Sequence, residues 1–140
     1  HIGSTSIPNL DAKPIIDIMI GVKSLNDARS TIQPMEQIGY SYWKDNPFTE
    51  HFFFVKGLPL AGGNGRSHHV HIIEADSDFW TMQILFRDYL RNHDNEAEEY
   101  LKLKNDLVVT FKNDRDGYTN GKTEFVHSVL RKAGYKFKQA

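Results

Sequence analysis

The sequence opens with HIGSTSIPNLDAKPIIDIMIGV, residues 1–22, and this stretch decides how the remainder of the chain is interpreted. Gly3-Ser4 is expected to open a short turn that can start a helix. Asp17 then lies within the apolar strand predicted over residues 15–22. A buried carboxylate without a partner is costly, so its position among isoleucines points to a function. Because free backbone N–H groups at the turn would bind a phosphate, the stretch predicts a site for a metal–phosphate pair.

The composition of the 140 residues is that of an ordinary globular chain, with 39% hydrophobic and 25% charged residues. We expect a single domain over residues 1–140, since a chain of this length can bury a substantial core. The net charge of −1 argues against bulk binding to nucleic acids or to an anionic membrane. No apolar run approaches the roughly 20 residues that a transmembrane helix requires.

The absence of cysteine excludes disulfides, thiolate metal sites and a thiol nucleophile. This composition is compatible with a cytoplasmic location, which we expect for this protein. The chain begins without Met, inside what looks like a motif. We therefore expect that a short native N-terminal segment precedes residue 1.

Hydrophobic periodicity predicts one strand, one helix, three strands and then three helices. Ser24 is the expected N-cap of the first helix, which should break near Ile32 because of Pro34. Strands are predicted over residues 40–44, 51–56 and 67–74. Of the three later helices, the first begins at residue 78, the second covers residues 95–112 and the last ends at Gly134. The polar residues 113–120 are predicted to form a loop. Segregated strands and helices favour an α+β fold, with helices packed mainly on one face of a mixed sheet.

The strand SHHVHIIE, residues 67–74, carries the second group of candidate site residues. Side chains alternate along a strand, so His69 and His71 are predicted to share one face. Two such imidazoles can bind a metal or donate hydrogen bonds to phosphate oxygens, although neighbours could also satisfy them structurally. His51 and His68 are interpreted as structural or exposed. The Gly-rich segment 57–66 matches no phosphate-binding motif and is interpreted as a connection.

Several segments that follow in order carry a resemblance to a known family. They are HHVHII, FRDYLRNH, YLKLKNDL and GKTEFVHSVLRKAG. With the opening stretch, they make the chain resemble the GrpB family, a group related to the nucleotidyltransferase superfamily with a polymerase-β-like palm. The resemblance implies a nucleotidyltransferase-like mixed sheet. It also implies that the protein binds a nucleoside triphosphate with Mg²⁺ and transfers a nucleotidyl group to an unknown acceptor.

The superfamily pattern is a Gly-Ser at a helix start, followed by a strand with two carboxylates one residue apart. Gly3-Ser4 and Asp17 fit this spacing. The position of the second carboxylate is occupied by Met19, which cannot bind a hard cation. The resemblance implies that Gly3 and Ser4 hold phosphate oxygens and that Asp17 binds Mg²⁺.

The resemblance further suggests that His69 and His71 replace the missing carboxylate in catalysis. They would supply an acid/base group, and His71 would be a second metal ligand, which makes Mn²⁺ or Zn²⁺ an alternative to Mg²⁺. Four cations are expected to neutralise the charge of the triphosphate: Lys13, Arg66, Arg87 and Lys122.

Two other functions are consistent with the sequence. The replacement of one carboxylate by Met19 favours a non-catalytic module that binds a nucleotide or phosphometabolite, and GrpB-like domains are sometimes fused to dephospho-coenzyme A kinase. The His69/His71 pair would also suit a metal-dependent phosphoesterase, although no third ligand stands at an informative spacing.

Overall fold

The computed structural model describes residues 1–46, 50–57 and 65–138. The chain divides into two compact units: unit 1 comprises His1–Ser6 and Ala12–Thr81, and unit 2 comprises Ile7–Asp11 and Met82–Ala140. Residues 58–64 of the predicted Gly-rich connection lie outside the described residues. The expectation of a single domain stays a prediction.

Unit 1 is built on a four-stranded sheet with the strand order β1-β4-β3-β2. The strands are β1 (Ile16–Val22), β2 (Tyr40–Tyr42), β3 (His51–Lys56) and β4 (His68–Glu74). Strand β1 pairs in parallel with β4, whereas β2, β3 and β4 form antiparallel pairs. The predicted mixed sheet is therefore confirmed.

Two short helices of unit 1 follow β1. Helix α1 (Leu25–Ala28) begins after Ser24, whose side chain accepts a hydrogen bond from a backbone N–H of the first turn. A 3-10 turn separates α1 from α2 (Ile32–Gln37). Pro34 lies in the first turn of α2, where its missing N–H breaks no helical hydrogen bond. The predicted N-cap and the predicted break near Ile32 are both confirmed.

The hydrophobic core of unit 1 lies between these helices and one face of the sheet. Its buried centre consists of Ala28, Phe54, Val70 and Ile72. Partly buried side chains surround this centre: Ile18, Val22, Leu25, Ile32, Met35, Tyr40, Tyr42 and Phe52. Because side chains alternate along β4, the residues that neighbour Val70 and Ile72 in sequence point to the opposite face.

The remaining elements are helices. Helix α3 (Asp78–Arg91) begins at the end of unit 1, and α4 (Asp94–Thr110), α5 (Arg115–Asn120) and α6 (Thr123–Lys132) belong to unit 2. The core of unit 2 consists of Ile7, Leu10, Leu90, Ala97, Tyr100 and Val129. As predicted, α6 stops before Gly134, which has a positive φ of 88°.

The polar segment over residues 113–120 was predicted as a loop, and this prediction is wrong because α5 forms there. The side chain of Asp114 accepts a hydrogen bond of 2.8 Å from the backbone N–H of Gly117. Such an N-cap stabilises a short helix whose composition alone does not favour one. Four helices rather than three therefore follow β4.

The α+β fold class is confirmed by this architecture. All four strands precede the long helices, and within unit 1 the core helices α1 and α2 pack on one face of the sheet. None of the helices in the described part of the chain is long and apolar enough to span a membrane.

The core of unit 1 can be tested by removing its largest fully buried side chain. Phe54 is 0% exposed, so Phe54→Ala should lower the free energy of unfolding by about 3–5 kcal/mol. Ile38 is 60% exposed, and Ile38→Ala should change that free energy by less than about 0.5 kcal/mol. Urea denaturation followed by tryptophan fluorescence reports on unit 1, which contains both tryptophans. Equal effects of the two substitutions would contradict this assignment of the core.

Candidate functional site

We call the face of the sheet opposite the core the histidine face. The strand register aligns its residues in three rows that run across the strands. The first row contains Asp17, His69, Val55 and Ser41 on four adjacent strands. The second contains Met19, His71 and Phe53, and the third contains Gly21, Ile73 and His51. The predicted alternation of β4 is thus confirmed, since His69 and His71 share this face.

Asp17 and His69 form a pair in the first row. Asp17 Oδ1 lies 3.0 Å from His69 Nδ1, and the side chains are 28% and 18% exposed, respectively. A carboxylate oxygen only accepts hydrogen bonds, so Nδ1–H is the donor. His69 Nε2 is buried and has no hydrogen-bond partner among the described residues. The pair is therefore an imidazole oriented by a carboxylate, with an Nε2 lone pair able to accept a proton or bind a ligand.

The turn at Gly3 lies directly against Asp17. The backbone N–H of Ile2 donates a hydrogen bond of 2.9 Å to the carbonyl of Asp17. Gly3 has a φ of +73°, and a Cβ atom at this position would lie 2.5 Å from Asp17 Oδ2. A short 3-10 helix, Ser4–Ser6, follows, and Ser6 Oγ donates a hydrogen bond of 2.6 Å to the Gly3 carbonyl. The structure thus places Gly3, the residue before Ser4, against the carboxylate that the sequence associated with this turn.

His71 belongs to a separate, buried cluster. Its Nδ1 lies 3.2 Å from Nε2 of His51, and the two residues are only 9% and 6% exposed. Burial lowers the pKa of His51 to about 4. Burial, and secondarily the neighbouring His51, lowers the pKa of His71 to about 4 as well. The rings of Phe53 and Phe79 pack on this pair, which is neutral at pH 7.

The described residues do not fit a resident two-metal centre. They contain no group of three or more His, Cys, Asp or Glu side chains that could hold a metal ion. Met19 is buried, and one oxygen of Asp17 accepts a hydrogen bond from His69. Mg²⁺ is usually bound through one or two carboxylates together with water and substrate phosphates. The binding of Mg²⁺, Mn²⁺ or Zn²⁺ to this chain therefore stays a prediction.

Comparison with known proteins identifies the family. The family model described as GrpB protein matches residues 1–132. This chain belongs to the GrpB family. The expected family resemblance is thereby confirmed. Its relation to the nucleotidyltransferase superfamily remains part of the proposal below.

Individual relatives support this membership. The chain is 45% identical over 134 residues to a UPF0157 protein of Pseudomonas aeruginosa. The aligned region covers 95% of this chain and 54% of that protein. It is 36% identical over 129 residues to the glutamate-rich protein GrpB of Alkalihalophilus pseudofirmus, covering 91% of this chain and 74% of the relative. This GrpB chain thus spans about half the length of the P. aeruginosa relative.

A solved structure supports the fold as well. The crystal structure of the conserved protein GrpB from Enterococcus faecalis is similar to this chain with a TM-score of 0.78 and 34% identity. The similarity covers 95% of this chain and 77% of that one. The names of these relatives state no reaction and no ligand, so the function of this GrpB chain is inferred from its site.

The four cations predicted to neutralise triphosphate have different surroundings. Lys13 is exposed in the segment before β1 of unit 1, and Arg66 lies over the ring of Trp43. In unit 2, Arg87 Nε donates a hydrogen bond of 2.7 Å to Asp88. Lys122 lies over the ring of Tyr118, and burial lowers its pKa. The phosphate-binding role of all four cations stays a prediction.

Sequence reasoning missed two features of this face. It did not find that His51 accompanies His71, because the register between β3 and β4 cannot be read from periodicity. It also treated His69 and His71 as one unit, whereas each has a partner on a different strand. The spacing of two residues determines the shared face but not the neighbour that each imidazole meets.

The glycine turn can be tested with alanine substitutions. Gly39 also has a positive φ, but a Cβ there would meet only a flexible part of Lys56 at 3.7 Å. Gly39→Ala should therefore lower the free energy of unfolding by about 1 kcal/mol, from backbone strain alone. Gly3→Ala should cost about 2–3 kcal/mol, because the added methyl group also displaces the Asp17 carboxylate.

Urea denaturation measures both costs, and NMR of the His69 imidazole reports the displacement. Only Gly3→Ala should shift the His69 signals. Equal costs for the two variants with unchanged His69 signals would contradict the close contact between Gly3 and Asp17.

The buried histidine pair predicts that stability depends on pH. The folded pKa values of His51 and His71 are about 4, below the ordinary value of 6.5. Between these pH values the unfolded chain binds more protons than the folded chain. The free energy of unfolding should therefore fall as the pH drops from 6.5 to 4, by at most about 1.4 kcal/mol per pH unit for each histidine, and then level off.

Urea denaturation at pH 7, 6, 5 and 4 measures this slope. His51→Gln keeps a hydrogen-bonding partner for His71 but removes one titrating group, so it should reduce the slope between pH 6.5 and 4. His93→Gln, at an exposed histidine, is the matched control for this substitution. An unchanged slope in His51→Gln would show that this pair does not control the acid stability.

Proposed function

We propose that this chain binds a nucleoside triphosphate beside the Gly3 turn and transfers its nucleotidyl group to an acceptor hydroxyl. Asp17 and His69 would be the catalytic pair. The observation that carries the proposal is His69 Nε2, a buried nitrogen without a partner among the described residues, on an imidazole whose other nitrogen binds Asp17. Buried polar atoms without partners are uncommon, and a ligand that engages them is one explanation.

Phosphate binding is assigned to the turn at Gly3 and Ser4. Gly3 has no side chain and a positive φ, so a phosphate could approach its backbone closely. The space that a Cβ atom would fill there lies beside Asp17 Oδ2. The triphosphate would arrive as its Mg²⁺ complex, which reduces the negative charge brought to this carboxylate. Lys13, in the segment before β1, is the candidate for neutralising the phosphates in unit 1.

The proton transfer follows from the orientation of His69. The acceptor hydroxyl gives its proton to Nε2 while its oxygen forms a bond to the α-phosphorus. The bond between this phosphorus and the bridging oxygen breaks, and pyrophosphate leaves with the electron pair. Asp17 keeps the proton on Nδ1 and stabilises the imidazolium that forms. Asp17 would in this way position His69.

A non-catalytic module that binds a nucleotide or phosphometabolite is the second candidate function. The observation that favours it is the burial of Met19 where the superfamily pattern has a second carboxylate. The metal-dependent phosphoesterase receives less support, because His51 contacts His71 Nδ1 and the described residues contain no group of three metal-ligating side chains.

Calorimetric titration with the Mg²⁺ complexes of ATP, GTP, CTP and UTP tests the binding step. One triphosphate should bind to the wild type, and Asp17→Asn should weaken its binding at least tenfold, because the carboxylate would hold the Mg²⁺ that accompanies the triphosphate. Asp76→Asn is the matched control, since Asp76 is exposed and asparagine tolerates its positive φ of 71°. Failure of all four triphosphates to bind would overturn the proposal.

Catalysis is tested by release of pyrophosphate, with water or glycerol as the acceptor, and by labelling from α-labelled triphosphates. His69→Gln can still donate a hydrogen bond to Asp17 but provides no base. It should reduce turnover about 10²–10⁴-fold with binding changed only a few-fold. Tight binding without any product from the wild type would instead identify a binding module.

A further inference from the structure

The histidine face also contains a cavity at the end away from Asp17. Its volume is about 220 Å³, and its lining residues are Ser41, Tyr42, Trp43, Val55 and Arg66. The first row of the face leads to it, because Ser41 pairs with Val55, which pairs with His69. Two strand spacings, or about 10 Å, therefore separate the backbone at Ser41 from that at His69.

The cavity combines a flat aromatic surface with a cation. The guanidinium carbon of Arg66 lies 5.7 Å from the centre of the Trp43 ring, and both side chains are half-buried. Among the residues that the structure describes, no carboxylate forms an ion pair with Arg66. The planar guanidinium has five N–H donors, so it can donate to a ligand held against the indole.

We propose that this cavity binds the base of the nucleoside triphosphate. The base would stack on Trp43, and Arg66 would donate hydrogen bonds to acceptor atoms on the base edge. This inference rests on the proposed function, because the first row connects the cavity with the catalytic pair. A triphosphate lying along that row would place its base near β2, its α-phosphate near His69 and its outer phosphates at the Gly3 turn.

The size and the chemistry of the cavity favour a base over other groups. Sites for drug-sized ligands usually measure about 300–1,000 Å³, so this smaller cavity suits a single ring system. Every base has a face that stacks on an aromatic side chain. Guanine presents two adjacent acceptors, O6 and N7, which match the paired donors of an arginine. Guanosine is therefore expected to bind more tightly than adenosine, cytidine or uridine.

Nucleosides without phosphates test the cavity independently of the catalytic pair. The full chain is titrated with guanosine, adenosine, cytidine and uridine while the indole N–H signals of its two tryptophans are followed by NMR. Trp43→Phe identifies which signal belongs to Trp43. Guanosine should shift the Trp43 signal and leave that of Trp80 in place. Asp17→Asn should bind guanosine as tightly as the wild type, because the carboxylate lies outside the cavity.

The role of Arg66 is tested with two substitutions and a control. Arg66→Lys keeps the charge but removes the paired donors, and it should weaken guanosine binding about tenfold. Arg66→Ala should weaken it at least as much, whereas Arg29→Ala, at an exposed arginine of the same unit, should have no effect. Inorganic phosphate serves as a competing probe. An equal shift of the Trp43 signal by phosphate would overturn the assignment to a base.

The remaining outcomes separate this inference from the proposed function. A triphosphate that binds and reacts without shifting the Trp43 signal would overturn the base site and leave the catalytic pair supported. Binding of nucleosides at Trp43, without turnover of any triphosphate, would support the base site and overturn catalysis. No shift at Trp43 with any nucleoside up to millimolar concentration would also overturn the base site.

Discussion

The parallel pairing of β1 with β4 is the constraint on which the candidate site depends. It places Asp17 directly beside His69, although the two residues are 52 positions apart in the chain. A parallel ladder of this kind requires a connection that crosses from one end of the sheet to the other, which α1, α2, β2 and β3 supply. A shift of one residue in this register would move Asp17 away from the histidine and turn its neighbours toward the wrong face.

The histidine face shows how one strand can carry two chemically different imidazoles. His69, in the first row, is oriented by a carboxylate and retains a nitrogen without a partner among the described residues. His71, two residues later, is enclosed by His51 and two phenylalanine rings, and burial keeps the pair neutral. The first arrangement suits proton transfer, and the second is part of the packing of unit 1. The neighbouring strands, rather than β4 itself, cause this difference.

Much of the fold could be predicted because it follows from local patterns. Ser24 caps a helix, Pro34 sets a break, and the alternation of SHHVHIIE assigns each residue of β4 to a face. The same reasoning failed over residues 113–120, where polarity suggested a loop. The carboxylate of Asp114 accepts a hydrogen bond from a backbone N–H of the first turn of α5. Average hydropathy gives no indication of such a cap.

The sequence by itself determined which residues could form a site: the Gly3-Ser4 turn, Asp17 in an apolar strand, and two histidines on one face. It also determined the family, since the matching segments extend over residues 1–132. Only the tertiary structure decided that Asp17 meets His69, that His51 meets His71, and that Arg66 lies over Trp43. The reason is physical. Alternation and capping act over a few residues, whereas strand register is set by the packing of the entire sheet.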